Sequence, residues 1–183
     1  MASSKTQSLH DALSADAGAG DRDLPGSDEQ FGDDCQFVHL HVHSAFSLLE
    51  GALTLKSLLE LAVADNQPAL AVTDRNNLFG ALEFSEKAVE QGVQPIMGCK
   101  LAIDFEDGKD HQPRSGMVSL PFLVLLAQNE TGFSNLRLLV SRAHLASEAK
   151  DPPHIKLTDL QAHAEGLICL TGGREGPLYR LSL

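Results

Sequence analysis

The run Phe37-Val38-His39-Leu40-His41-Val42-His43-Ser44 places an imidazole at every second residue. Alternate side chains of a strand share a face. A strand over 37–43 would therefore set His39, His41 and His43 on one face and Val38, Leu40 and Val42 on the other. The second set is an ordinary core face. The first makes a poor core and a good metal surface, because neutral imidazole suits zinc, iron and other transition metals. Glu50 follows and could add a hard oxygen ligand. Asp74 ends a second apolar run, Pro68-Ala-Leu-Ala-Val-Thr-Asp74, and offers another carboxylate. A lone histidine on a strand is more often a hydrogen-bonding group than a ligand, so the signal lies in the repeat.

These residues need elements to hold them. Thr54 can cap a helix over about 54–65, with Leu53 stapled on Leu58 and Leu55, Leu58, Leu59, Ala62 and Val63 as its buried stripe. The 68–74 run reads as a buried parallel strand. Asn76 or Asn77 would cap a helix over about 78–91, with Leu78, Ala81, Leu82, Ser85 and Val89 inward. Strands are expected over 93–105, 120–127 and 166–171. A polar loop is expected over 106–119, as at a hairpin tip. Ser134 would cap a helix buried through Leu136, Leu139, Val140 and Ala143, and a shorter helix would begin at Thr158. Alternating strands and helices indicate parallel α/β architecture, whose sites gather at the C-terminal ends of strands. His41, His43 and Asp74 fall near such ends.

The chain has 183 residues and a formal net charge of −11. Residues 1–36 hold eight acidic side chains against Lys5 and Arg22, with few large apolar groups. That composition predicts a disordered acidic tail, with the fold beginning near Cys35. No basic patch suited to gripping nucleic-acid phosphates appears. Cys35, Cys99 and Cys169 are widely spaced, as reduced thiols would be. No long apolar run and no export signal is present, so a cytoplasmic protein without membrane contact is expected. Walker, Gly-x-Gly-x-x-Gly and Gly-x-Ser-x-Gly motifs are absent.

His41-Val-His43-Ser44 followed by Ser47-Leu-Leu-Glu50-Gly51 resembles the first motif of the polymerase-and-histidinol-phosphatase (PHP) domain. The form is that found at the start of bacterial DNA polymerase III alpha subunits. Further matching segments are Pro68–Asp74, Asn77-Leu-Phe-Gly-Ala-Leu-Glu83-Phe84, Gln94-Pro-Ile-Met-Gly98, Leu125–Phe133 with Asn135-Leu136, and Glu165–Gly172. The resemblance implies a distorted β/α barrel of seven strands, of which about five are visible here. It divides the chain into the tail, 1–36, and a PHP domain over 37–183, incomplete at its C-terminus. It also implies DNA-directed DNA polymerase (nucleotidyltransferase) activity for a much longer chain. The implied partners are the remainder of that chain, the proofreading subunit, the sliding clamp and the clamp loader, with DNA reached only through the full-length protein.

In metal-binding members of that family, ligands match His41, His43, Asp74 and an aspartate at Glu50. A histidine stands at Arg75 and often a glutamate at Lys100. A later Ser-Gly-Cys is Thr171-Gly172-Gly173 here, and the final Asn-Asp-x-His motif has no counterpart. Arginine cannot coordinate a metal, and two cations beside the remaining carboxylates can pair with them instead. Arg75 or Lys100 bonding Glu50 or Asp74 would make a salt-bridged site with no tightly held cofactor. Weak binding of zinc, manganese or magnesium at His41 and His43 is the alternative. His111, His144, His154 and His163 read as loop or helix-surface residues. The segment is thus expected to be a scaffold and interaction module that is inactive by itself. The competing readings are a metal-dependent phosphoesterase or 3'-5' exonuclease of the same superfamily, and the error-prone alpha-type polymerase relative.

Overall fold

The computed structural model describes residues 37–105, 120–146 and 152–181. The expected tail over 1–36, the loop over 106–119 and His111 lie outside them. The element order is α1 (Leu55–Ala64), β1 (Ala69–Arg75), α2 (Ala81–Glu90), β2 (Gln94–Asp104), β3 (Phe122–Ala127), α3 (Glu130–Ala146), β4 (Ile155–Lys156), α4 (Leu157–Ala162) and β5 (Leu167–Leu170). A 3-10 turn (Gly173–Glu175) and α5 (Pro177–Leu181) follow. The strands form one mixed sheet in the order β1-β2-β3-β5, with β4 beside β2.

β1 and β2 pair in parallel across α2, the right arrangement for a crossover helix. β3 runs antiparallel to both β2 and β5. Since β4 pairs with β2 in parallel, four strands share one direction and β3 alone is reversed. The expected α/β class holds, and the one reversed strand is the one that the expected hairpin between 93–105 and 120–127 requires. β2 and β3 are consecutive strands of the chain and pair side by side.

The strand expected over 37–43 is reduced to one bridge, between His39 and Leu70. His39 O accepts from Ala71 N at 2.9 Å and Val42 O accepts from Thr73 N at 2.8 Å. A step from 39 to 42 thus opposes a step from 71 to 73, which leaves one extra residue on the outer segment. Such an insertion breaks the alternation of faces. Leu40 is consequently exposed, and of the expected core face only Val42 packs against the described core clusters. His39 turns to Phe37, with ring centroids 4.7 Å apart.

One sheet face is covered by helices. α1 and α2 bring Leu55, Leu58, Leu59, Phe84 and Ala88 against Leu70, Val72 and Met97. α3 brings Leu136, Leu139 and Ala143 against Cys99, Leu101, Ile103 and Leu125. Thr54 caps α1, its hydroxyl accepting from Ser57 N, but Val63 is exposed. α2 starts later than expected because Asn77 is engaged in a turn. Its Nδ2 donates to Phe46 O and Arg75 O, and its Oδ1 accepts from Phe79 N. The buried stripe becomes Phe84, Ser85 and Ala88, with Leu82 and Val89 exposed. α3 starts at Glu130, where Asn129 Oδ1 accepts from Gly132 N at 2.9 Å, and Ser134 lies inside the helix. The other sheet face carries small and medium side chains, Ala71, Val124 and Leu126, with Ile96 and Leu170 beside them. At its C-terminal rim this face carries charge.

Candidate functional site

The β1–β2 register pairs Thr73 with Gly98 and Arg75 with Lys100, and β2–β3 pairs Lys100 with Val124 and Ala102 with Phe122. Arg75, Lys100 and Phe122 therefore project from the same face. The Phe122 ring forms a floor, with Arg75 Cζ 4.2 Å and Lys100 Nζ 5.2 Å from its centroid. The loop over 44–51 delivers Glu50 above them. Glu50 Oε1 pairs with Arg75 Nη1, and its Oε2 accepts from Lys100 Nζ at 3.4 Å. Lys100 also pairs with Glu175 of the 3-10 turn. The result is an alternating chain, Arg75–Glu50–Lys100–Glu175. Its inner member is almost dry, since the Lys100 side chain is 4% exposed.

His41 and His43 meet edge to face beside this chain, with centroids 4.9 Å apart. His41 Nδ1 lies 2.8 Å from Thr73 Oγ1, whose hydrogen goes to Val42 O. His43 Nδ1 lies 3.2 Å from Glu50 Oε2 and donates to it, which leaves His43 Nε2 buried and without a hydrogen-bond partner. Burial holds both imidazoles below their ordinary pKa, and Lys100 nearby adds to the effect. The hydrogen bond from Lys100 holds Glu175 below the usual carboxylate range.

Asp74 points to the opposite face, with Leu70 and Val72. It accepts from Ser44 N and Ser44 Oγ, each at 2.7 Å, and from Ser47 Oγ at 2.6 Å. Ser47 Oγ in turn accepts from Arg75 N at 3.0 Å. Asp74 thus fastens the loop that carries Glu50, and it reaches the rim only through its charge, which acts on His43. Of the residues singled out in the sequence, His41, His43, Glu50, Arg75 and Lys100 come together, and Asp74 and His39 do not join them. His144 bonds Asn76 O at 2.7 Å and His154 bonds Pro152 O at 2.9 Å. Glu175 and Phe122 were missed, because their places depend on a reversed strand and a distant turn. The buried serines Ser44 and Ser47 lie inside the histidine motif, and their spacing before Glu50 was their only signal.

The donor set does not fit a divalent ion. Both oxygens of Glu50 face cations, and both oxygens of Asp74 accept from the serines of the 44–51 loop. Cations also hold positions 75 and 100, where the family resemblance calls for ligands. Among the described residues no group of three or more His, Cys, Asp or Glu is placed to hold a metal. The arrangement is that of an ionic clasp joining the 44–51 loop, two strands and the 3-10 turn.

Residues 39–183 match the sequence profile of the PHP domain. This chain belongs to the PHP domain family. Its PHP domain is 45% identical over 145 residues to the DNA polymerase III subunit alpha of Caulobacter vibrioides, covering 79% of this chain and 12% of that protein. It is 42% identical over 149 residues to the Treponema pallidum protein of the same name, covering 80% and 12%. With the Thermus aquaticus protein of that name it is 43% identical over 155 residues, covering 82% and 13%. The chain thus spans about an eighth of the length of these curated relatives. Among the described residues no helix is long and apolar enough to cross a membrane.

The PHP rim makes a pH prediction. His41, His43 and Glu175 all bind protons less readily folded than unfolded, so the unfolded chain takes up more protons on acidification and stability rises with pH. The stabilisation is complete above the ordinary histidine value of 6.5 and is lost as pH falls through the lowered values. Glu175 adds a further loss below 4.5. Urea midpoints measured from pH 8 down to pH 4 should fall through this range in the native chain. The fall should be shallower in His43→Gln, and a midpoint flat between pH 7 and pH 5 would refute the assignment.

Proposed function

We propose that this chain is the N-terminal PHP segment of a DNA polymerase III alpha subunit, with residues 1–36 as a tail and 37–183 as the domain. In this reading the segment is a structural and interaction module. Nucleotidyl transfer belongs to carboxylates elsewhere in the longer polypeptide. The observation that supports it is the state of Glu50, whose two oxygens are engaged by Arg75 and Lys100. A carboxylate held in this way is withdrawn from metal coordination, and among the described residues no ligand set remains from which metal-activated water could act. The relatives' printed names support the replicative form, although an error-prone DNA polymerase of Symbiobacterium thermophilum is also 39% identical over 162 residues. The partners in this reading are the rest of the polymerase chain, the proofreading subunit, the sliding clamp and the clamp loader, all in the cytoplasm.

Two assays on the purified 183-residue chain test the proposal. Primer extension and nitrophenyl-phosphate hydrolysis, each with zinc, manganese or magnesium, should give no turnover above buffer. Metal analysis after dialysis should find far less than one ion per chain. Stoichiometric metal together with turnover that His41→Ala abolishes would replace the scaffold reading with a metal-dependent phosphoesterase.

A further inference from the structure

We propose that the ammonium of Lys100 is the permanent structural cation of this rim, and that Glu175 is the carboxylate recruited to hold it. The inference rests on the metal-free reading above and adds a mechanism to it. Lys100 Nζ is nearly buried between two carboxylates, those of Glu50 and Glu175. His43 shares Glu50 Oε2 with it, and His41 packs on His43. Carboxylates and neutral imidazoles are donor types that a divalent ion takes, but among the described residues no three of them are placed to hold one. Here the cation is covalently tethered to β2. His43 Nε2 is buried and has no hydrogen-bond partner, so the second nitrogen of this imidazole is left unused beside the tethered cation.

A tethered cation has consequences that a loosely bound ion does not. It cannot be removed by a chelator, and it is in place as soon as β2 folds. Glu175 is distant in sequence from Lys100, so the pair draws the segment after β5 onto the rim that β1 and β2 begin. Removing the ammonium leaves two carboxylates facing each other beside a buried imidazole. Their repulsion opens the rim, and the freed donors can then accept a divalent ion from solution.

Thermal unfolding of the full chain tests this with EDTA and with excess zinc. The native chain should melt at the same temperature in both. Lys100→Met, which keeps most of the volume, should melt several degrees lower in EDTA and recover at least half of that loss in zinc. In Lys100→Met with Glu175→Gln the recovery should be absent. Should Lys100→Met fail to fold, Glu175→Gln alone must lower the native midpoint and Lys100→Arg must retain most of it. A native midpoint that falls in EDTA would overturn both this inference and the metal-free reading. A native chain indifferent to EDTA, with Lys100→Met unshifted or rescued by zinc regardless of Glu175, would overturn the inference alone.

Discussion

Asp74→Ala is expected to cost about 3–5 kcal/mol of folding stability, from charge-assisted hydrogen bonds worth about 1.5–3 kcal/mol each. The carboxylate accepts three such bonds, from Ser44 N, Ser44 Oγ and Ser47 Oγ. Removing it leaves two hydroxyls and a backbone N–H without acceptors, in residues that are 0% and 2% exposed. Relief from burying a carboxylate offsets part of the loss, which keeps the total below the sum of the three bonds. Against a typical stability of about 5–15 kcal/mol, the variant stands near the edge of folding. Asp74→Asn keeps one acceptor oxygen but turns an amide NH2 toward donors, so it should fall between the two. Ser44→Ala and Ser47→Ala should each cost less than Asp74→Ala, because the acid keeps its other partners. Urea denaturation of the four variants checks the order, and an Asp74→Ala loss under about 1 kcal/mol would sink the assignment.

The same variant should also loosen the ionic clasp. Ser47 links Asp74 to Arg75 N, and the loop it closes carries Glu50 to Arg75 and Lys100. Asp74→Ala and Glu50→Gln should therefore be strongly non-additive, since loss of the anchor already removes much of what Glu50 contributes.

Two levels of signal were unequally legible in the sequence. The Pro68–Asp74 strand, the Thr54 cap and the apolar stripe of α3 could be read because each depends on local pattern. The charged partners of Glu50 could be read as well, since a guanidinium and an ammonium stand where the family resemblance calls for ligands. The 37–43 segment could not. Its alternation is intact in the sequence, but pairing with β1 inserts one extra residue between the His39 and Val42 bonds, which separates His39 from its neighbours. Asp74 parts from Arg75 for a simpler reason. It stands beside Arg75 in sequence, and a strand sends adjacent side chains to opposite faces. Glu175 and Phe122 were invisible because only the reversed β3 and the turn after β5 bring them to Lys100.

Gly132→Ala should be the most damaging single methyl addition in α3, at about 3 kcal/mol, in the range of backbone-displacing overpacking. A Cβ at Gly132 would run into the carbonyl of Gly166 at a separation that real Cβ atoms do not reach. That carbonyl is not free to retreat, because it accepts from Gln128 N at 2.9 Å just before the helix. Gly166 has a φ of 71°, and a Cβ there would meet Asn129 Oδ1, the atom that accepts from Gly132 N. The two segments are far apart in sequence, and their glycines prove to be two halves of one contact, which seats the first turn of α3 on the entry to β5. Gly173→Ala is the matched control. Its φ is 57° but open space surrounds its Cβ position, so only the backbone preference is lost, about 1–2 kcal/mol. Gly132→Ala should therefore unfold at lower urea than Gly173→Ala, and the reverse order would show that α3 and β5 can part without cost. Because β5 leads into the turn that carries Glu175, Gly132→Ala should also weaken the Lys100–Glu175 pair. Substituting Glu175→Gln in that background should then cost less than it does in the native chain.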